Sequence, residues 1–353
     1  MDVDWTESME QSFEYYEIDP NTWKDKKRID IIKSCSITRD SEAITCGSAS
    51  FEAAEIFGEI YVRTYLVVRQ NGNDYRIPLG VYIIQTPSSE FNGKVSTISM
   101  DAYTPLLELK EKIPALGYTI LKNENIMNIA YNLVRENCRA PVVKTESNKI
   151  LESNFVAQPE NTWLAYLTDL INKAKFSFDI SDDGKIIFSP IQSVDELQPK
   201  WTFTDDNSSI LHPEISLKHD IYGIPNVIEV SYTIGTTVLY SRVVNDDESS
   251  PTSIQARGRE IVYRETSPSL PGYPTQEIID EYAENLLKQF NSVTYEISYT
   301  HGYCPVRVGD GVRLNYEKAG LKNIKAKVIR QQIKCTAGCE VSETAVFTKK
   351  LWK

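Results

Sequence analysis

The chain is poor in cysteine. Its 353 residues hold six, Cys35, Cys46, Cys138, Cys304, Cys335 and Cys339. That density excludes a secreted disulfide framework and predicts free thiols on a chain made in a reducing cytoplasm. Basic residues are outnumbered, 38 Lys and Arg against 49 Asp and Glu, for a formal net charge of −11. This argues against tight, sequence-independent nucleic-acid binding, which needs a basic footprint. It is compatible with a surface past which DNA slides, because like charges repel. No run of about 18 apolar residues is present, so no transmembrane helix is expected. The first twenty residues, MDVDWTESMEQSFEYYEIDP, are acidic and lack the basic start of a secretory signal.

What is present suits strands. The sequence is 41% hydrophobic and 25% charged, a globular balance, with 20 Tyr and 11 Phe. The length allows two or more cores. Residues 59–103 set the pattern. Tyr61, Arg63, Tyr65 and Val67 alternate with Val62, Thr64, Leu66 and Val68, the period of a pleated strand. Asn71-Gly72-Asn73-Asp74 is hairpin punctuation. Tyr75 to Gln85 returns, with Pro78 and Gly80 marking an edge or a bulge. Phe91-Asn92-Gly93-Lys94 turns again before the strand from Val95 to Met100. This meander predicts a small antiparallel barrel or sandwich.

Around it, residues 1–27 read as an extended aromatic arm, 28–40 as a first strand, and 41–57 as a second strand with a loop. A short helix follows Pro105. Residues 113–200 differ in pattern. A helix from Asn125 to Arg139 turns Ile126, Ile129, Ala130, Leu133 and Val134 to one face, and Pro141 stops it. A second runs from Thr162 to about Lys175, with Asn161 as its cap. A hairpin then turns on Asp182-Asp183-Gly184. Strands resume at Trp201–Thr204, Ile210–Leu217 (an edge, given Pro213), Asn226–Ile234 and Thr237–Val244. NDDESSPT (245–252) reads as a solvated loop, Arg257–Glu265 as a strand and 267–275 as a rigid connector. Thr275 caps a third helix, and four strands close the chain: 293–300, 305–315, 324–334 and 340–347. Ile77–Tyr82 is faintly echoed by Cys304–Gly309.

Candidate chemistry is thin. His301 and Cys304 with Cys335 and Cys339 offer one imidazole and three thiolates, a set that tetrahedral zinc accepts. A strand start with a buried thiol and a plain turn through Gly338 account for them more simply. His212 and His219 lie near Glu214 and Asp220, but no Gly-x-Ser-x-Gly elbow accompanies them. Asp182-Asp183, Asp205-Asp206 and Asp246-Asp247 lack the ligand spacing of a calcium loop and read as solvated turns. Val308-Gly309-Asp310-Gly311-Val312 lacks the Lys-Ser/Thr and helix of a phosphate loop and reads as a tight hairpin. Arg257-Gly258-Arg259 is an isolated basic pair. Trp23, Tyr240 and Tyr273 would form a sugar platform if exposed together. No catalytic, cofactor-binding or metal residue is assigned, and no cofactor is expected.

Several stretches, in their order and spacing, resemble one family: EIDPNTWKD (17–25), SCSITRD (34–40), IPLGVYIIQTP (77–87), SMDAYTPLLELK (99–110), the helix from Asn125, IPNVIEVSY (224–232) and CPVRVGDGVRL (304–314). The sequence is similar to the baseplate or tail-tip hub proteins of long-tailed bacteriophages, including the N-terminal hub part of siphophage tail-associated proteins. The resemblance implies a mainly β fold with α+β modules: two tube-type antiparallel β-barrels plus two smaller helix-containing domains. By that analogy the first barrel spans 28–112 and the α+β module 113–200. The second barrel spans 201–240 with 293–353, around an inserted module at 241–292. It implies a structural homotrimer, not an enzyme, that adapts a sixfold tail tube to a threefold tip in the virion. Implied partners are a distal-tail or tail-tube ring and a spike, fibre or receptor-binding protein, with transient passage of DNA. A cell-wall hydrolase and a carbohydrate-binding adhesin are the alternatives.

Overall fold

Alternation with period two becomes strand wherever Gly, Asn or Asp can turn the chain. The structure is a computed structural model and describes residues 3–55, 58–91, 93, 96–206, 209–270 and 274–352. Two units divide the chain: Met1–Ile215 with Ser298–Ala345, and Ser216–Ile297 with Val346–Lys353.

The first unit opens with β1 (Glu10–Asp19), β2 (Lys24–Arg28), β3 (Ile32–Asp40) and β4 (Gly47–Ala53). The meander follows as β5 (Tyr61–Gln70), β6 (Asn73–Phe91) and β7 (Ser96–Tyr103). Residues 10–19 and 24–27 of the expected arm are therefore strand, and β1 pairs with both β5 and β2. The turn expected over 91–94 includes Asn92 and Lys94, which lie outside the described residues. Between β5 and β6 the register slips: Thr64 faces Gly80 while Tyr65 faces Pro78, leaving Leu79 as the extra residue of a bulge. The Pro-Leu-Gly sequence foretold that irregularity.

The small helical part comprises α1 (Leu107–Glu111), β8 (Thr119–Ile120), α2 (Ile126–Asn137), β9 (Phe155–Val156), α3 (Trp163–Asn172) and the hairpin β10 (Phe176–Ile180) and β11 (Ile186–Pro190). Asn125 caps α2 by accepting from the Asn128 N–H. The cap of α3 is Thr162, whose Oγ1 accepts from Ala165 N, rather than Asn161. Asn161 instead folds back to accept from Gln158 N, so its side chain is already committed to the preceding turn. The buried faces of α2 and α3 pack with Phe178, Ile180, Ile186 and Phe188 of the hairpin and with Trp23, Tyr61 and Val81. A separate core lies among Ile37, Phe51, Leu66, Leu79, Met100, Ile333 and Val341.

The later strands are β12 (Pro199–Thr204), β13 (Leu211–His219), β14 (Val227–Ile234), β15 (Thr237–Val244), β16 (Val262–Thr266), β17 (Ser292–Gly302), β18 (Gly311–Tyr316), β19 (Leu321–Lys334) and β20 (Glu340–Lys350). The main sheet runs β13-β17-β20-β19-β3-β4-β7-β6-β5-β1-β2. β18 pairs antiparallel with β19, and β12 parallel with β18. Thus β3 joins β19, bringing the first and last thirds of the chain together. Pro213 sits in β13 at one end of this order, where a missing ladder donor costs least. The fold is mainly β with a large antiparallel sheet, and the sheet path is open among the described residues.

The strand set expected over 201–240 and 293–353 is split. β14 and β15 leave the large sheet and form a three-stranded sheet with β16, in the order β15-β14-β16. The helix α5 (Gln276–Phe290), capped by Thr275, sets Ile279, Ala283 and Leu287 on Ile228 and Val230 of β14. An amphipathic helix near an alternating hairpin provides the apolar face that this hairpin needs. Two smaller expectations also fail. Residues 257–265 are not one strand: α4 (Ile254–Arg257) ends at Gly258 with φ +62°, and β16 starts later. The loop 245–252 is not simply solvated, since Asn245, Ser250 and Thr252 are buried. Asn245 donates to Ser250 Oγ (2.9 Å) and Thr252 Oγ1 (3.1 Å), and Thr252 donates to Asn291 Oδ1 (2.5 Å). The polar residues satisfy one another, which makes their burial tolerable. The segment Cys304–Gly309, which echoes the β6 sequence, is a loop rather than a strand. Among the described residues no helix is long and apolar enough to cross a membrane.

Candidate functional site

A tightly held place in the first unit is the turn of the β10–β11 hairpin. Ser181, Asp182, Asp183 and Gly184 close it, with Gly184 N donating to Ser181 O. Gly184 has φ +80°, and a Cβ there would lie 2.4 Å from Val81 Cβ. Only glycine fits so close an approach of turn to strand.

Three arginines from separate strands or loops grip this turn. Arg39 of β3 donates from Nη2 to Asp182 Oδ1 and to the carbonyl of Leu79, each at 2.7 Å. That carbonyl belongs to the bulged residue of β6, so the bulge hands Arg39 an acceptor the ladder does not use. Arg307 donates to the Ile180 carbonyl and lies 3.4 Å from Asp182 Oδ1. Arg63 of β5 donates to the carbonyls of Trp23 (3.1 Å) and Asp183 (3.2 Å) and pairs with Asp25 at 2.8 Å. Trp23 Nε1 adds a bond of 2.9 Å to the Asp183 carbonyl. Burial is the largest influence and would lower the Arg39 pKa, but the Asp182 carboxylate together with Tyr82, Tyr303 and Asp179 turns the net shift upward, so Arg39 is charged. The expected solvated turn at Asp182-Asp183 is therefore a docking point.

The grip continues inward. Arg39 Nη1 donates to Gln331 Oε1 (2.9 Å), and Gln331 Nε2 donates to Glu343 Oε1 (2.6 Å). Glu343 Oε2 accepts from Tyr299 (2.6 Å), whose own pKa is held far above normal by burial and by that carboxylate. His301 Nε2 lies 3.4 Å from Glu343 Oε1 without hydrogen-bond geometry, and its Nδ1 lies 2.6 Å from the Gly302 carbonyl.

Beside the clamp is a cavity of about 380 Å³, edged by Arg39, Asp179, Arg307, Asp310, Lys327 and the apolar Phe178 among others. Burial raises the Asp179 pKa, and Arg307 only partly offsets this. Cys46, also on the wall, has its thiol pushed up to about 12 by burial.

The sequence-stated candidates are scattered. His301 Nδ1 and Cys304 Sγ lie 3.8 Å apart, whereas Cys335 and Cys339 pack in the core near Cys35 and Tyr15. Among the described residues no three His, Cys, Asp or Glu side chains form a metal-holding group. Burial holds the Cys304 and Cys339 thiols in their protonated form. His212 and Glu214 are exposed on β13, and His219 stacks on Tyr295 at 4.5 Å. Asp220 accepts from Tyr222 N, Asp206 from Thr204 and Asp247 from Ser249. Asp205 and Asp246 lie in those loops. Gly309 and Asp310 form a loop rather than a hairpin, fixed by Gly309 N to Val328 O and by Lys200 on Asp310. Arg257 is spent on the Ile221 and Ile224 carbonyls, with Gly258 as its helix's left-handed cap and Arg259 after it. Trp23 is buried, Tyr240 is half-exposed and Tyr273 lies outside the described residues, so Trp23 cannot serve a surface platform. Sequence reading missed the clamp. Its signal was there: Arg39 and Arg63 each interrupt an otherwise alternating strand, where a cation is retained only if paired.

No family model matches the chain. Solved structures do. A tail protein from Neisseria meningitidis is 12% identical with a TM-score of 0.61, the match covering 97% of this chain and 98% of that one. The 43 kDa tail protein of prophage MuSo2 from Shewanella oneidensis is 11% identical with a TM-score of 0.60, covering 95% and 98%. A chain of the lidded PdpA–VgrG complex from Francisella is 10% identical with a TM-score of 0.53, covering 97% of this chain and 53% of that one. Over nearly its whole length, then, this chain has the fold of phage tail proteins.

Proposed function

We propose that the protein is a structural hub at the distal end of a phage tail, in the baseplate or tail tip of the virion. The observation that carries this reading is end-to-end likeness, in both directions, to two solved tail proteins. In the proposed assembly three copies close a ring. Each copy contributes two rolled strand sets, one centred on β3–β7 and one on β17–β20 with β12, β13 and β18. The helical part at 113–200 and the β14–β16 sheet with α5 are the smaller modules. Two barrel-like sets in each of three copies give six similar positions, which would match a sixfold tube above and a threefold tip below. A distal-tail or tube ring is the upper partner and a spike, fibre or receptor-binding protein the lower one. DNA passes through the lumen without specific binding. The role is architectural rather than catalytic, and the clamp suits it, because a ring subunit must hold its modules at fixed angles.

Light scattering on the purified chain, alone and mixed with a tail-ring partner, tests the reading. A particle of three chains, or trimerisation on the ring, is the expected result. A monomer at high concentration that never joins the ring would overturn it.

A further inference from the structure

The cavity beside the clamp has an unbalanced charge. Three cations edge it: Arg39, Arg307 and Lys327. Two of its acids are engaged elsewhere, Asp40 with Arg330 at 2.8 Å and Asp310 with Lys200 at 2.9 Å. Asp182 binds both arginines through one oxygen. Asp179, also on the wall, lies 3.7 Å from Arg307 Nη2, and burial raises its pKa, so Lys327 is the cation left over once these pairs are counted. Lys327 has no carboxylate partner among the described residues. Its ammonium donates to the Gln192 carbonyl at 3.1 Å, and burial lowers its pKa. Arg307 Nε is buried and makes no hydrogen bond, although Asp182 is within ion-pair range. So one cation without a carboxylate, Lys327, and one unused donor, Arg307 Nε, edge a space of about 380 Å³. Ser177, Ser181 and Ser189 edge the same space, their hydroxyls donating to the Ser189 carbonyl, Asp183 and Asp179 respectively. The volume is at the small end for ligand sites, about 300–1,000 Å³.

We propose that this cavity binds a small organic anion: one carboxylate or phosphate group on a hydroxylated body of monosaccharide size. Lys327 and Arg307 hold the charge, the oxygens of Ser177 and Ser189 accept from the hydroxyls, and the apolar wall covers the rest. The site is preformed, because the clamp fixes the hairpin that makes one of its walls, and little ordering is needed on binding. This goes beyond the hub assignment and does not depend on it.

Calorimetry on the full chain tests the site with three probes: D-glucuronate, glycerol 3-phosphate and D-glucose. At least one anion should bind with a Kd below about 1 mM, and glucose should not. Glucuronate alone would identify a carboxylate site, and glycerol 3-phosphate alone a phosphate site. Lys327→Met should weaken binding at least about tenfold, while Lys325→Met, on the same strand but outside the cavity wall, should leave it unchanged. Amide hydrogen exchange on the unaltered chain gives a second readout that needs no variant. Ligand should slow exchange at residues 177–192 and 307–310. Failure of both anions to bind, equal binding of glucose, unchanged affinity in Lys327→Met, or protection confined to other residues would overturn the site.

Discussion

A guanidinium in a sheet interior is costly unless its donors are met by acceptors and its charge by a carboxylate. Arg39, whose side chain is 8% exposed, meets both conditions with Asp182, Gln331 and the Leu79 carbonyl. Asp182→Ala leaves that cation buried without its partner. The loss should be about 2–3 kcal/mol in urea unfolding, less than for a wholly buried pair because Asp182 is 34% exposed. A loss below about 0.5 kcal/mol would mean that water replaces the carboxylate. Glu108 carries a pH signature. Burial would raise its pKa, but hydrogen bonds from the Tyr61 hydroxyl, the Arg139 N–H and the Arg139 guanidinium prevail, and the net shift is downward. A carboxyl whose folded pKa is depressed adds stability that is complete above its unfolded pKa, about 4.3, and fades as pH falls through the folded value. Asp179 acts in the opposite sense: its raised folded pKa makes stability fall as pH rises past the ordinary aspartate range. Glu108→Gln should therefore flatten the loss of stability below about pH 4 and lower stability at neutral pH. An unaltered acid limb in Tm against pH would remove Glu108 from this role.

At the scale of elements, glycine separates turns that dock from turns that only turn. Gly72 in the β5–β6 turn and Gly184 in the β10–β11 turn have similar angles, φ +77° and φ +80°. A Cβ at Gly72 meets nothing within 4 Å, while one at Gly184 meets Val81 at 2.4 Å. Gly72→Ala should cost about 1 kcal/mol, the price of the left-handed backbone alone. Gly184→Ala should cost about 3 kcal/mol, because the clash also pushes the hairpin off the sheet. Equal losses in paired denaturation curves would refute the docking role. This contrast also marks where sequence reading stops. The hairpin at Asp182-Asp183-Gly184, the Thr275 cap and the bulge beside Pro78 were legible because turn and cap chemistry is local. The clamp was not, because Arg39 and Asp182 are distant in sequence and the hydropathy of each segment says nothing of its partner. The same reason explains the misplaced β14–β15 hairpin. Its alternation predicts a half-buried strand pair, but only the position of α5 decides which sheet receives it.

At the scale of the molecule, the composition sets a constraint that contacts do not. The formal charge of −11 is spread over a chain proposed to line a passage for DNA, and a ring of three copies triples it. A basic lumen would trap the polymer, since each neutralised phosphate releases counterions and adds to affinity. An acidic ring repels it, so DNA is steered along the axis and held nowhere. Three of the cations, Arg39, Arg63 and Arg307, are tied to the clamp and out of reach of a ligand as large as a duplex, and many of the exposed ones are paired with carboxylates. The purified protein should therefore fail to shift duplex DNA in an electrophoretic assay even at low salt, where nonspecific binders with Kd of about 10⁻⁴–10⁻⁶ M at physiological salt bind more tightly still. Retention of DNA that weakens steeply with added salt would instead indicate an exposed basic track, and the conduit reading would have to be given up in favour of a protein that holds nucleic acid.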